Sequence, residues 1–439
     1  MVLQAGAAEA KITPPVGVDL SGYAHREGPS VAVHDDLWCR ALVLENAGAR
    51  LAVVSLDLLG LDFPLDASIR QAVSHAAALP AEHILLNCTH THAGPAVTHL
   101  HSLGAPNEAY LADLPGKIAD TVATAARELR PAHIAYGVAP GRAGINRRER
   151  TPEGNIIIGR NPEGLTDQWV RVLSLRREDG QPIAVAFSHA CHGTTLGGEN
   201  RSISAEWMGA ACQALRSRLG EGAIPMFLQG CCGQINPDRE ERTFEQVAWV
   251  GERIAEAALS ALTSAQPISG RLSARLERIQ LPLRNPPDLP TAQALLAQAE
   301  RQAEEGRRQG VHAYYLRALE ELVAYARGVL GLSERGPRNL RLPFVVQVIA
   351  LGDLGLAALS GEVFLDFTLQ IEEGSPFPHT LVLGYSNGCT GYVPTAQAIA
   401  EGGYEPDLSF RYYGTLPLAP EAGEQMVATA LSLLREVQP

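Results

Sequence analysis

The chain has 439 residues, 46% of them hydrophobic and 19% charged, a composition that supports a packed core and excludes disorder, collagen and coiled coil. A formal net charge of -12 without any local basic patch excludes nucleic acid as a partner. No apolar run reaches the roughly 20 residues of a membrane span, because the longest stretch, near Leu51 to Leu61, is interrupted by Asp57 and Gly60; no membrane insertion is expected.

The first residues, MVLQAGAAEAKITPP, lack the basic and apolar stretches of a secretory leader, so a cytoplasmic location is expected. Leu42 to Glu45 and Leu51 to Leu56 read as a hairpin turned at Asn46-Ala47-Gly48, followed by a helix from Asp66 to Ala78. HILLNCTHTH is an apolar strand that runs into polar residues. Glu108 to Leu129 is a helix, HIAYGVAP a strand, and VRVLSLRREDGQPIAVAFSHACH a second hairpin turned at Asp179-Gly180. A helix from Ala205 to Leu219, the strand IPMFLQG and a helix from Thr243 to Thr263 follow. Beyond Pro282 the texture becomes proline-rich and then charged and helical, which predicts a helical hairpin inserted at 287–335. Strand texture resumes near Pro343, with a hairpin turned at Gly352-Asp353, a helix near Val363 to Ile371 and the strand HTLVLGYSN. The expected fold is α/β, helices layered over one large mixed β-sheet, in a single domain spanning 1–439.

Seven cysteines with scattered spacing do not form a disulfide framework, and the Cys231-Cys232 pair lacks the C-x-x-C spacing that grips an ion. The histidines are more informative. His90 and His92 lie two apart at the end of an apolar strand, which places both imidazoles on one face, either as a site or as two surface histidines satisfied locally. FSHACHGTTLG repeats the arrangement with His189 and His192, and SGE leaves Glu362 at a strand edge near a helix N-terminus. Histidines and a carboxylate from three strand ends match a zinc set with an open position. G-x-S-x-G, H-E-x-x-H, the P-loop and strand-linked G-x-G-x-x-G are all absent from the sequence. The turn LQGCCGQINPD is suited to aiming backbone N–H groups at an anion.

In chain order, GAAEAKITPP with GYA, NCTHTHAGP, GINR, HGTTLG with ISAEW, LQGCCGQINP, SGE, and GYSNGCTGYVPT with GGYE resemble the neutral/alkaline non-lysosomal ceramidase superfamily. The resemblance covers the zinc-containing N-terminal hydrolase domain of that family. It implies one zinc per chain held by His90, His192, Glu362 and Tyr392, with His189 the alternative to His192. It further implies that His92 is a substrate-side histidine, Arg147 an active-site arginine and Tyr404 a tyrosine facing the scissile carbonyl. The twelve-residue separation of Tyr392 and Tyr404 agrees with the family. Two departures stand out. Asn236 and Gln234 occupy the serine and aspartate positions of the family's G-D-x-S-P-N turn, so a serine nucleophile is not expected. The chain ends at Pro439, directly after the catalytic region, so the family's C-terminal β-sandwich is expected to be missing.

The resulting expectation is a zinc-dependent hydrolase that cleaves an amide bond of a soluble small molecule by a zinc-activated water, with Asn236 beside the reacting groups. Lactone, ester or phosphoester hydrolysis, the last with Asp57 at a second metal, and a catalytically silent metal- or ligand-binding homologue are the alternatives. The insertion at 287–335 serves in this reading as a lid or as a homo-oligomer interface.

Overall fold

A computed structural model describes residues 3–220 and 222–438. Eight strands of the nine-stranded sheet run in the spatial order Ile224–Gln229, Pro182–His189, Trp169–Arg177, Arg130–Pro140, Gln4–Lys11, Trp38–Asn46, Ala49–Leu56 and Ile84–Cys88. The short strand Gln266–Pro267 pairs with Arg130–Pro140 off this path. Both hairpins expected among these strands are present. The first turns at Ala47 and Gly48, which both have positive φ.

Leu272–Pro282, Arg341–Leu351, Leu354–Leu359 and His379–Leu383 form a second, four-stranded sheet, where the sequence led us to expect one sheet. Runs such as FVVQVIAL are apolar at consecutive positions because both faces are buried, and that pattern does not say which strands share a sheet. Leu42, Leu44, Leu173 and Leu175 of the large sheet pack on Ile349, Leu351, Leu356 and Leu381 of the small one. The opposite side chains of the same strands face helices. Cys39, Ala41 and Val43 meet Ile69, Val73, Leu114 and Ile118, while Val185 and Phe187 meet Trp207, Ala211, Val250 and Ile254. Phe344, Val346 and Val348 of the small sheet pack on Phe367, Ile371, Met426 and Ala430. The architecture is therefore four layers, helix–sheet–sheet–helix.

Parallel pairs decide where the loops converge. Ala49–Leu56 is parallel to Ile84–Cys88, Pro182–His189 to Ile224–Gln229, and Leu354–Leu359 to His379–Leu383. Single bridges Asn87↔Ser386 and Gly230↔Leu383 join the two sheets at these carboxyl ends. The loops that follow thus meet at one edge of the sandwich, the usual place for a ligand site in α/β folds.

The helical hairpin consists of Leu289–Gln309 and Ala313–Arg335. Asp288 caps the first helix through the Thr291 N–H, and the left-handed residues Gly310 and Gly336 end the two helices. It is inserted between strands that pair antiparallel from Leu272↔Leu351 to Pro282↔Arg341. The hairpin leans on the loops of the site edge: Tyr314 and Arg317 reach Asp19 at 3.2 and 3.1 Å, Ser102 Oγ donates to the Ala318 carbonyl at 3.0 Å, and Tyr325 donates to the Thr415 carbonyl at 3.0 Å. A cavity of about 610 Å³ lies between the hairpin and those loops, with Ala24 and Tyr412 among its lining residues. Among the described residues no helix is long and apolar enough to cross a membrane.

Candidate metal centre

His90, His92 and His192 come together, with ring nitrogens within 4.8 Å of one another, a geometry able to hold a metal ion. The route to this cluster differs from the strand alternation expected from NCTHTH. The strand ends at Cys88, and His90 is left-handed with φ 64°. His90 N–H bonds the Leu58 carbonyl at 2.9 Å and His92 N–H the Gly193 carbonyl at 3.1 Å, so the two imidazoles are aimed by loop hydrogen bonds instead of by a pleat. Two glycines make room. A Cβ on Gly22, at φ 101°, would lie 2.3 Å from His92 Nδ1, and one on Gly193 would lie 2.5 Å from the His90 carbonyl.

Each imidazole of the cluster spends its Nδ1 on a backbone carbonyl. His90 faces Leu59 at 2.7 Å, His192 faces Cys232 at 2.8 Å, and His92 faces Gly22 at 3.1 Å. A carbonyl only accepts, so Nδ1 carries the proton and Nε2 keeps its lone pair. Those lone pairs converge: His90 Nε2 is 3.1 Å from His92 Nε2, and the Glu362 carboxylate lies 3.3 Å from His90 Nε2 and 3.2 Å from His192 Nε2. Burial, with the Arg147 guanidinium beside it, pushes the His192 imidazole down to about 4. Burial and the two neighbouring imidazoles likewise hold His92 well below the ordinary histidine range. Neutral nitrogens and a carboxylate facing one another across a buried gap form a donor set of the kind zinc takes.

Glu362 and Tyr392 are register partners in a two-residue parallel bridge, Glu362–Val363 with Tyr392–Val393. Tyr392 Oη stands 3.5 Å from His192 Nε2. Glu362 precedes the following helix, Leu365–Gly374, by more than the expected spacing, and the hydroxyls of Tyr413 and Tyr385 donate to its carboxylate. Arg147 is buried, donates from Nε to Glu405 at 2.8 Å and from Nη1 to Asn236 Oδ1 at 3.3 Å, and lies over the rings of Tyr392 and Tyr404. All eight residues expected at the site, His90, His92, Arg147, His192, Asn236, Glu362, Tyr392 and Tyr404, are thus gathered at one place.

His189 is elsewhere. Its Nδ1 faces the Trp169 carbonyl at 3.1 Å and its Nε2 accepts from Ala143 N–H at 3.3 Å, which leaves neither nitrogen free. Asp57 is paired with Arg40 at 2.9 Å and accepts from the Trp38 N–H, in a buried ion pair. The GCCGQIN turn also departs from expectation. Gly233 and Ile235 N–H groups are bonded to the Val363 and Cys232 carbonyls, and it is the turn's carbonyls, Cys232 and Ile235, that face His192. Gln234 holds Asp366 and the Leu365 N–H.

Sequence reasoning missed Gln229, Glu405, Tyr385 and Tyr413. The Gln229 side-chain amide donates to the carbonyls of Thr89 and Cys191, one residue before His90 and one before His192, both at 2.9 Å. Glu405 bridges Arg147 and Arg148, and its place beside Tyr404 in GGYE, facing the arginine pair in GINRRER, was the available signal.

A sequence profile described as "Neutral/alkaline non-lysosomal ceramidase, N-terminal" matches residues 3–238, just over half of the chain. A neutral ceramidase of Mycobacterium tuberculosis (strain ATCC 25618 / H37Rv) is 24% identical over 88% of this chain and 70% of its own length. One of Drosophila pseudoobscura pseudoobscura is 23% identical over 53% of this chain and 36% of its own length. The crystal structure of neutral ceramidase from Pseudomonas aeruginosa superposes with a TM-score of 0.77 at 20% identity, covering all of this chain and 75% of that one. The four-layer fold is shared with that structure, and the chain belongs to the neutral/alkaline non-lysosomal ceramidase family.

Proposed function

We propose that the protein is a zinc-dependent hydrolase of an amide bond in a soluble small molecule. The observation that carries this reading is the convergence of three carbonyl-tethered imidazoles with their Nε2 atoms turned inward, two of them onto the buried Glu362 carboxylate. Family membership, and the name neutral ceramidase borne by the relatives, support an amide as the bond cleaved.

In this reading His90, His192, Glu362 and Tyr392 hold the ion, and Tyr413 and Tyr385 keep Glu362 in its carboxylate form by donating to it. Zinc, when bound, polarises a carbonyl and lowers the pKa of water from about 15.7 toward 7. His92 is half-buried where His90 and His192 are buried, so it faces the substrate side. Its Nε2 takes a proton during attack and returns it to the leaving amine. Arg147 Nη2 is buried without a hydrogen-bond partner and is the charged donor available to an oxygen that becomes negative in the transition state. Asn236 aligns Arg147, and the Tyr404 ring lies beside that of Tyr392 against its guanidinium. With asparagine at position 236 no side-chain nucleophile is required. The same reading takes 1–439 as one metallohydrolase unit, with 287–335 as an insertion at its entrance.

The test is metal content by plasma mass spectrometry on protein purified without added metal, followed by turnover of an amide, lactone and phosphate-ester panel. About one zinc per chain and preferential amide hydrolysis support the reading. Absence of zinc after reconstitution, or turnover confined to phosphate esters, overturns it.

A further inference from the structure

The rings and N–H groups of His90 and His192 are tethered by the loop after Leu56 and by the GCCGQIN turn. Leu58 and Leu59 hold His90, and Cys232 and Ile235 hold His192. His92 is held from a different quarter. Its N–H bonds the Gly193 carbonyl, but its ring and its own carbonyl are both taken by the segment from Ser21 to Arg26. The Gly22 carbonyl faces Nδ1 at 3.1 Å, the Tyr23 ring stands 5.1 Å from the imidazole, and Arg26 Nη2 donates to the His92 carbonyl at 2.7 Å.

Arg26 organises that segment. It is only 5% exposed, and among the described residues it forms no ion pair. Its nitrogens serve three carbonyls from three parts of the chain: Nη1 that of Ser21 at 2.8 Å, Nη2 that of His92 at 2.7 Å, and Nε that of Asn200 at 3.0 Å, on the loop that follows His192. A cation taken out of water without a counter-charge is costly, and hydrogen bonds on all three nitrogens offset that cost. The planar fork of arginine spans three separated acceptors, which the single nitrogen of lysine does not. Ser21 also donates its N–H to the Gly94 carbonyl at 3.0 Å, so both of its backbone groups are committed and the next carbonyl, that of Gly22, is turned to His92. The guanidinium lies over the Tyr23 ring as well, 5.2 Å from its centroid.

We propose that Arg26 is the positioning residue of His92: it fixes the backbone that carries the imidazole and the carbonyl that keeps the proton on Nδ1, so that Nε2 is presented to the substrate, and it takes no part in holding the ion. This rests on the amide-hydrolase reading, in which His92 moves the proton. Without the tether the ring swivels and populates its other tautomer, which places a hydrogen where the lone pair is needed.

The experiment compares wild type, Arg26→Met and Arg26→Lys as full chains, by zinc content, by kcat and KM on 4-nitroacetanilide, and by nitrogen-15 NMR of the histidine rings, with His92 assigned by its loss in His92→Gln. Arg26→Met is expected to keep about one zinc per chain and the wild-type KM, to lose about 10- to 100-fold in kcat, and to convert the His92 signals from one tautomer to a mixture of two. Arg26→Lys is expected to recover part of both. Wild-type kcat in Arg26→Met, an unchanged His92 tautomer, or loss of zinc together with activity overturns the proposal. If Arg26→Met does not fold, Arg26→Lys carries the test by the same readouts. If wild type cleaves no amide, the amide-hydrolase reading fails, and the NMR decides Arg26 by itself: a single His92 tautomer that becomes mixed in the variants supports the proposal, and an unchanged one overturns it.

Discussion

The segments His90–His92 and His189–His192 each stand at the carboxyl end of an apolar strand and each carry two imidazoles, yet they use them differently. Both members of the first pair reach the centre, whereas the second contributes His192 alone. His189 is still the last residue of its strand, and both of its ring nitrogens are consumed by backbone partners. His192 lies beyond the strand in a loop whose neighbours offer carbonyls on one side only. An imidazole becomes available to a metal when the backbone takes one nitrogen and leaves the other.

The sharpest way to break this contrast is to exchange the two histidines' fates. His192→Ala should eliminate bound zinc and lower turnover by about a thousandfold or more, read by metal analysis and steady-state kinetics. A zinc-replete, active His192→Ala protein would remove the basis of the contrast. Next in size is Gln229→Leu, which keeps side-chain volume but releases the Thr89 and Cys191 carbonyls that set the spacing of the two histidine loops. Zinc affinity is expected to fall by about 10- to 100-fold in competition with a chelator, as for other groups that orient ligands.

The loop after His192 is anchored by Glu206, whose carboxyl burial pushes up to about 7. A carboxyl raised in the folded state binds more protons there than in the unfolded chain. Its contribution is therefore complete below about 4.5 and is lost as pH rises through about 7. Glu206→Gln should gain about 3 kcal/mol on wild type between pH 4 and pH 8 in urea unfolding. A pH-independent difference would show that Glu206 binds its proton no more tightly in the folded protein than in the unfolded chain. The smallest effect belongs to His189→Gln, which should retain zinc and activity and lose about 1–2 kcal/mol of stability. Loss of zinc there would make the two strand ends equivalent after all.

Much of this was legible in the residues. Hairpin turns at Ala47-Gly48, Asp179-Gly180 and Gly352-Asp353 follow from glycine in alternating apolar context, and the inserted hairpin from its charged, helix-forming texture. The family resemblance that the ordered short motifs carry implies His90, His92, His192, Glu362, Tyr392 and Tyr404 at one site. The second sheet was hidden because Val346, Val348 and Ile349 are buried on alternate faces, one against helices and one against another sheet, and apolar side chains do not name their partner. Gln229 was hidden because its value lies in two carbonyls more than 30 residues away in sequence. His90 looked like a strand residue because nothing local announces a left-handed histidine; only the tertiary bonds to Leu58 and Leu59 impose it.

The helical hairpin leaves and rejoins the small sheet at ladder partners, Pro282 and Arg341, and Leu283 N–H still bonds the Leu340 carbonyl beyond them. Ladder partners of this kind sit only about 5 Å apart. The insertion is therefore a cassette: a short reverse turn can stand in its place without shifting the register of either strand. Such an excision would remove the contacts to Asp19, Ser102 and Thr415 while sparing every residue of the histidine cluster, so that the loops at this edge and the cluster become separately adjustable in one chain.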